Sequence, residues 1–170
     1  MLDLAGISGD SIVDGPGIRT TVFAQGCPHH CPGCHNPETW AFGCGTKMDP
    51  EDILSIVKQN PLCRGVTFSG GEPFAQAEEF AKLGKLLKAA GYEVASYSGY
   101  TFEQLLSGTP EQQALLGTID VLIDGPFIRS ERSLELNFRG SRNQRILNVP
   151  ASLKAGRAVE ETSGRWLGIY

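Results

Sequence analysis

The sequence predicts an α/β fold, in the form of an open or partial barrel of about five to six mainly parallel strands. Short β-branched and apolar stretches alternate with stretches of helical periodicity along the chain. Cysteines, glycines and lone polar side chains follow directly after four of the predicted strands, which is where parallel α/β folds bind ligands. Five strands are also too few to close an eight-stranded barrel.

Five runs rich in β-branched and apolar residues predict the strands. They cover residues 19–25, 65–68, 92–97, 119–124 and 143–149. Because the unusual residues follow the first four of these runs, we expect them to meet at one edge of the sheet.

Three helices are predicted between the strands. An N-cap residue and a proline at 49–50 predict a helix that ends near residue 59. Apolar residues at helical spacing predict a second helix over 76–90. Thr101 and Gln104 have the spacing of a capping box, which predicts the start of a short third helix.

The length and composition indicate one globular domain over 1–170. Its core covers about 10–149, and the polar tail at 150–170 shows no clear pattern. The sequence has no apolar run of the roughly 18 residues that a membrane span needs and no secretory signal at its start. The net charge of −4 argues against general nucleic-acid binding. We therefore expect a cytoplasmic protein with neither membrane nor nucleic-acid partners.

Three of the five cysteines lie within the eight residues from Cys27 through Cys31 to Cys34. In a reducing compartment such a cluster indicates metal binding rather than disulfides. Cys44 and Cys63 stand apart, and we interpret both as residues without a ligand role.

Three thiolates leave a structural zinc site one ligand short, because such sites are closed by four protein ligands. Thiolates are also the preferred ligands of iron–sulfur clusters, so three can hold three irons of a [4Fe–4S] cluster and leave the fourth iron open. The prolines and glycines between the cysteines suit a loop that wraps a small object.

The spacing Cys27-x3-Cys31-x2-Cys34 resembles the signature of the radical S-adenosylmethionine (SAM) enzymes. A second motif, Gly-Gly-Glu-Pro at 70–73, is similar to the glycine-rich SAM motif of that superfamily. The resemblance implies a radical SAM fold, a [4Fe–4S] cluster on the three cysteines, and SAM bound to the open iron. It also implies reductive cleavage of SAM to a 5′-deoxyadenosyl radical.

The resemblance, together with position at strand ends, predicts a set of SAM contacts. Many superfamily members carry an aromatic residue just before the third cysteine, where this chain has Gly33, and His35 is the aromatic residue that takes part of that role. No catalytic residue is expected beyond the cluster ligands. The predicted SAM contacts are Gly33, Cys34, His35, Gly70, Gly71, Glu72, Pro73 and Ser98.

Four longer runs narrow the resemblance to one family. Residues 13–19, 26–40, 121–125 and 138–144 are similar to the activating proteins of the anaerobic ribonucleoside-triphosphate reductase. This likeness implies an enzyme that generates a glycyl radical on the large subunit of that reductase. It also implies an electron donor such as a flavodoxin or a ferredoxin.

Two alternatives remain open from the sequence. A radical SAM enzyme of this kind could act on another glycyl-radical enzyme or on a small molecule, as 7-carboxy-7-deazaguanine synthase does. A zinc-binding interaction module would explain the cysteines but not the 70–73 motif. The roles of Asp124 and of the arginines between 129 and 145 are also open, since a turn or a solvated surface explains them as well.

Overall fold

The computed structural model describes residues 1–168, and these form an α/β structure around one open sheet. Within this range the sheet has seven strands in the order β3-β1-β2-β4-β5-β6-β7. The strands are β1 (Leu2–Ser11), β2 (Arg19–Ala24), β3 (Thr46–Met48), β4 (Gly65–Gly70), β5 (Glu93–Tyr97), β6 (Val121–Asp124) and β7 (Arg145–Asn148). The α-helices are α1 (Pro50–Lys58), α2 (Ala77–Ala89), α3 (Phe102–Leu106), α4 (Pro110–Leu116), α5 (Val149–Ala155) and α6 (Gly164–Leu167).

The four central strands are parallel, and the outer strands are antiparallel. β2, β4, β5 and β6 pair in parallel, whereas β1 pairs antiparallel with both β2 and β3, and β7 pairs antiparallel with β6. The predicted class, an open α/β sheet with mainly parallel central strands, is confirmed. The sheet has two strands more than the five runs read from the sequence, and its fifth predicted strand, β7, is antiparallel to β6.

The two additional strands carry weak sequence signals. β1 contains Gly6 and Gly9, and about half of it is exposed, so it lacks the β-branched run that marks the other strands. β3 has only three residues. β1 pairs with β2, and β3 pairs with β1 at the edge of the sheet.

The three predicted helices are confirmed as α1, α2 and α3. Asp49 stands at the N-cap of α1, although its side chain makes no capping hydrogen bond. Thr101 and Gln104 form the predicted capping box of α3. A second capping box, Thr109 with Gln112, begins α4, which was not predicted.

The sheet buries a different set of side chains on each face. Leu122 of β6 belongs to the large core beneath the helices. Its neighbours Val121 and Ile123 point to the opposite face, because side chains alternate along a strand. There they meet Ala95 and the fully buried Trp166 of α6.

Helix α6 therefore packs onto this second, inner face of the sheet, whereas Val149 and Ala158 belong to the large core on the other face. The Trp166 ring meets Phe138 edge to face at 5.4 Å, and the Arg19 guanidinium lies 5.3 Å from the Trp166 ring centre. In the same helix, Arg165 forms an ion pair with Glu93. None of the helices among residues 1–168 combines the length and the apolar character that crossing a membrane requires.

Candidate functional site

The site lies at the carboxyl ends of the parallel strands, as the sequence predicted. A pocket of about 110 Å³ is lined by residues that follow β2, β4, β5 and β6. The three clustered cysteines all contribute to it. Its lining consists of Cys27, His29, Cys31, Cys34, Trp40, Gly70, Gly71, Tyr97, Ser98, Gly99, Gly125, Phe127 and Gln144.

The cysteine loop, residues 26–36, is held by its own backbone and by the segment that follows it. The Cys27 N–H donates to the Trp40 carbonyl at 3.1 Å, and the Cys34 N–H donates to the Cys31 carbonyl at 3.0 Å. Gly26 and Gly33 take positive φ angles of 102° and 78°, which glycine adopts without strain. The chain therefore turns sharply at both ends of the run and directs the cysteines into one pocket.

All three thiols are free, and Cys27 is the most buried. Burial raises the pKa of the Cys27 thiol, although hydrogen bonds from the backbone N–H groups of His29 and His30 act in the opposite direction. Cys44 is exposed, and Cys63 is buried elsewhere, against Thr20 and the Gly65 carbonyl. Neither lines the pocket.

The glycine loop, residues 70–73, packs directly against the cysteine loop. The Glu72 N–H donates to the Gly26 carbonyl at 2.8 Å, and the Gly71 N–H donates to the Ala24 carbonyl at 2.8 Å. A Cβ on Gly71 would collide with the Gly26 carbonyl oxygen, and a Cβ on Gly70 would meet the backbone of Ala24. Glycine is therefore required for this close approach of the two loops.

The Glu72 side chain is fully buried behind the pocket. It accepts hydrogen bonds from Ser98 Oγ at 3.0 Å, from the Gly99 N–H at 2.7 Å and from the Phe74 N–H at 3.1 Å. His29 Nε2 lies 2.6 Å from Glu72 Oε1. One carboxylate thus joins the cysteine loop to the ends of β4 and β5.

A second and larger pocket, of about 470 Å³, adjoins the first. The two share Cys34, Gly70, Tyr97, Phe127 and Gln144. The second pocket extends past His35, whose ring meets Phe127 edge to face at 5.2 Å, towards Asp14 and Phe138. The arrangement has room for a ligand that begins at the cysteines and continues along the carboxyl edge.

Comparison with known proteins identifies the family. Residues 13–147 match the family model described as a 4Fe-4S single cluster domain. The anaerobic ribonucleoside-triphosphate reductase-activating protein of Vibrio cholerae serotype O1 is 38% identical over 144 residues, which cover 79% of this chain and 90% of that protein. The corresponding Escherichia coli K12 protein is 34% identical over 141 residues, covering 78% of this chain and 90% of its own length.

This chain belongs to the family of anaerobic ribonucleoside-triphosphate reductase-activating proteins. The pyruvate formate-lyase-activating enzyme of Clostridium pasteurianum is also similar, at 40% identity over 107 residues, which cover 58% of this chain and 45% of that enzyme. The structure of QueE from Escherichia coli is a more distant neighbour, with a TM-score of 0.41, 23% identity, and coverage of 59% of this chain and 50% of that one. The predicted family and the predicted class, an oxidoreductase of the activating-enzyme type, are confirmed.

The donor set of this family member fits a cluster with one open iron. Among residues 1–168, no three histidine, cysteine or acidic side chains are grouped closely enough to hold a single metal ion. A [4Fe–4S] cluster makes a different demand, because each thiolate binds a separate iron. Three thiols of one loop, with no further cysteine in the lining and with His29 Nε2 bonded to Glu72, therefore fit such a cluster better than a closed zinc site.

The predicted contacts separate into three groups. Cys34, Gly70, Gly71 and Ser98 line the first pocket, and His35 lines the second. Gly33 instead packs against Phe127 and Arg129. Glu72 and Pro73 stand behind the pocket wall, and their predicted contact with SAM stays a prediction.

Asp124, whose role was open, forms part of the framework rather than the pocket wall. It is buried, and Arg145 holds it with hydrogen bonds of 2.6 and 3.0 Å, while the Phe102 N–H donates to it at 2.7 Å. Hydrogen bonds to Asp124 and Glu103 raise the pKa of the Arg145 guanidinium. The Asp124–Arg145 pair therefore ties β6, β7 and α3 together.

Several lining residues were missed from the sequence. His29 was not among the predicted contacts, and it is partly buried against Glu72 and Tyr100. Gly99 directly follows Ser98, so its place at a strand end was a usable signal. No comparable signal marked Trp40, Phe127 or Gln144, because their positions depend on how the loops fold over the pocket.

Proposed function

We propose that this chain is a radical SAM activating enzyme that generates a glycyl radical on the large subunit of an anaerobic ribonucleoside-triphosphate reductase. Cys27, Cys31 and Cys34 would hold the [4Fe–4S] cluster. The observation that carries the proposal is the pocket at the carboxyl edge of the sheet, where these cysteines meet the Gly70-Gly71 backbone. The names of the relatives that share most of the chain support the choice of partner.

A reduced cluster held by Cys27, Cys31 and Cys34 would supply the one electron needed for reductive cleavage of SAM to methionine and a 5′-deoxyadenosyl radical, the species that would take a hydrogen atom from a partner glycine. The protein has to bind, orient and shield the reactants, because the cofactor supplies the difficult chemistry. No acid–base pair is needed among the lining residues. The electron would come from a small donor such as a flavodoxin or a ferredoxin.

The geometry supports a defined orientation for SAM. Gly70 and Gly71 present backbone to the first pocket, which suits the methionine end beside the cysteines. Cys34 and His35 border the larger pocket, which suits the adenosine end, and Gly33 lies in the turn just before them. Ser98 also lines the first pocket.

A sibling glycyl-radical enzyme is the second candidate partner. The likeness to the pyruvate formate-lyase-activating enzyme favours it, but covers only 45% of that enzyme, against 90% of each reductase-activating relative. The reductase subunit is therefore the first partner to test. Free thiols and an open iron suit a reducing, oxygen-poor cytoplasm, and we propose no nucleic-acid partner.

The decisive experiment is an anaerobic assay for SAM cleavage. The cluster is reconstituted and reduced, SAM is added, and 5′-deoxyadenosine is measured by chromatography. We expect product from the natural chain and from the matched control Cys44→Ala, which removes an exposed cysteine outside the pocket. We expect none from Cys31→Ala.

Electron paramagnetic resonance with an added partner then tests the second half of the proposal. We expect a glycyl radical on the reductase large subunit, and none when pyruvate formate-lyase replaces it. A fully loaded iron–sulfur protein that makes no deoxyadenosine, with or without a partner, would contradict the proposed function. Zinc without iron or sulfide would identify the chain as the interaction module instead.

A further inference from the structure

His29 and Glu72 join the cysteine loop to the glycine loop through a side-chain contact that the spacing of the two motifs does not predict. His29 lies between the first two cysteines, and Glu72 directly follows Gly71. The distance from His29 Nε2 to Glu72 Oε1 is 2.6 Å. Because a carboxylate can only accept, the hydrogen in this bond is assigned to His29 Nε2.

The donors that reach Glu72 already fill its acceptor capacity. A carboxylate offers about four acceptor sites. Glu72 receives His29 Nε2, Ser98 Oγ, and the N–H groups of Phe74 and Gly99, and its side chain is fully buried. Four protein donors leave no site for the ammonium group of a ligand. The Glu72 side chain therefore acts on the protein.

The His29 ring is also enclosed by the end of β5. Tyr100 meets it edge to face, with ring centres 4.5 Å apart. A Cβ on Gly99 would collide with the His29 ring, so glycine at this position makes the close approach possible. The ring is thus fixed by a hydrogen bond on one side and by packing on two others.

We propose that His29 and Glu72 are positioning residues that lock the cysteine loop onto the ends of β4 and β5. In this role they set the distance between the cluster and SAM. The expected effect on SAM binding rests on the proposed function, because the cluster and SAM belong to that function. The lock itself is a property of the protein chain and can be measured on its own.

The test compares three variants of the full chain. His29→Ala removes the donor and the ring. His29→Gln keeps a donor at a similar distance from the backbone. The matched control is His30→Asn, which removes a ring from the same loop without removing the His29–Glu72 contact. The His30 ring stacks on Trp40 at 4.6 Å, and the φ of 48° at this position is one that asparagine adopts readily.

The first readout is hydrogen–deuterium exchange of the protein without SAM. We expect His29→Ala to speed exchange in residues 26–36 and at 98–100, while His29→Gln and His30→Asn stay close to the natural chain. The second readout is the dissociation constant of SAM for the anaerobically reconstituted protein. We expect His29→Ala to weaken it about tenfold, the lower end of what losing an outer-shell partner costs at metal sites.

Unchanged exchange in both segments of His29→Ala would overturn the inference, as would a His29→Gln variant that behaves like His29→Ala. If His29→Ala cannot be purified in folded form, His29→Gln alone decides, because the proposal requires near-natural behaviour from it. Failure of the proposed function has a different signature: the natural chain itself would not bind SAM, while the exchange difference would persist.

Discussion

Gly71 is the residue at which the two loops of the site come closest. Its backbone lies against the Gly26 carbonyl, and the neighbouring Glu72 N–H donates a hydrogen bond to that same carbonyl. A methyl group here has backbone on one side, which cannot rotate away as a flexible side chain could. The spacing between the cysteines and the glycine motif therefore depends on the absence of a single side chain.

Replacing Gly71 with alanine should separate the two loops. We expect Gly71→Ala to lower the free energy of unfolding by about 1–3 kcal/mol, as overpacking typically does, and to reduce the iron retained after reconstitution. Urea denaturation and iron analysis measure the two effects. Gly6→Ala is the matched control, since a Cβ there meets nothing within 4 Å. Equal behaviour of the two variants would contradict this account of the close approach.

At the scale of elements, four of the five strands that the sequence predicted are those that carry the site. β2, β4, β5 and β6 are central strands whose residues are mostly buried, and residue types that are unusual there lie at or just after the end of each. β1 escaped notice because its glycines and its exposed residues give it neither a run nor a clean alternation. The location of the site at the carboxyl edge of the sheet was thus predictable from the sequence.

The side chains that close over the pocket were not predictable in the same way. Phe127 and Gln144 belong to a long connection between β6 and β7, and His29 to a loop without regular structure. Their contacts depend on partners distant in sequence, such as Glu72 for His29, which lies 43 residues away. Periodicity carries no information about such pairs.

The Arg19–Glu93 ion pair links two central strands at their starting ends. Arg19 is fully buried at the start of β2, and its NH1 lies 2.9 Å from Glu93 Oε1 at the start of β5. Burial raises the pKa of the Glu93 carboxyl, but Arg19 and the Arg165 guanidinium outweigh burial and lower it overall. A carboxyl with a lowered pKa adds stability above its unfolded-state pKa and loses that contribution as the pH falls through its folded-state value.

Glu93→Gln should therefore destabilise the protein in a pH-dependent way. We expect the loss in free energy of unfolding, relative to the natural chain, to be largest near pH 7 and to shrink below about pH 4.5, the ordinary pKa of glutamate. Urea denaturation at pH 7 and at lower pH measures it. Glu111→Gln, at an exposed position of α4, is the control. A loss of stability that stays constant with pH would show that Glu93 stabilises the protein through packing and hydrogen bonding rather than through its charge.

At the scale of the whole molecule, the open sheet has two ends with separate tasks. The carboxyl ends of the parallel strands form the site, and their starting ends are closed by the Arg19 network and by α6. A sheet that does not close into a barrel leaves its inner face to be covered by other parts of the chain. Here Trp166 of α6 covers it, at a distance from the cysteines.

This arrangement predicts that stability and cluster binding can be separated. Trp166 is fully buried against Phe138 and above the Arg19 guanidinium, so removing its ring leaves a cavity beside a buried charge. We expect Trp166→Ala to lower the free energy of unfolding by about 3–5 kcal/mol, the usual cost of such a truncation. Iron content should stay near that of the natural chain at temperatures well below the melting point. Leu167→Ala, one residue further along α6 and 44% exposed, should cost much less and serves as the control. Loss of the cluster from a folded Trp166→Ala protein would mean that the two ends of the sheet are coupled, because the substituted side chain does not reach the pocket that the cysteines line.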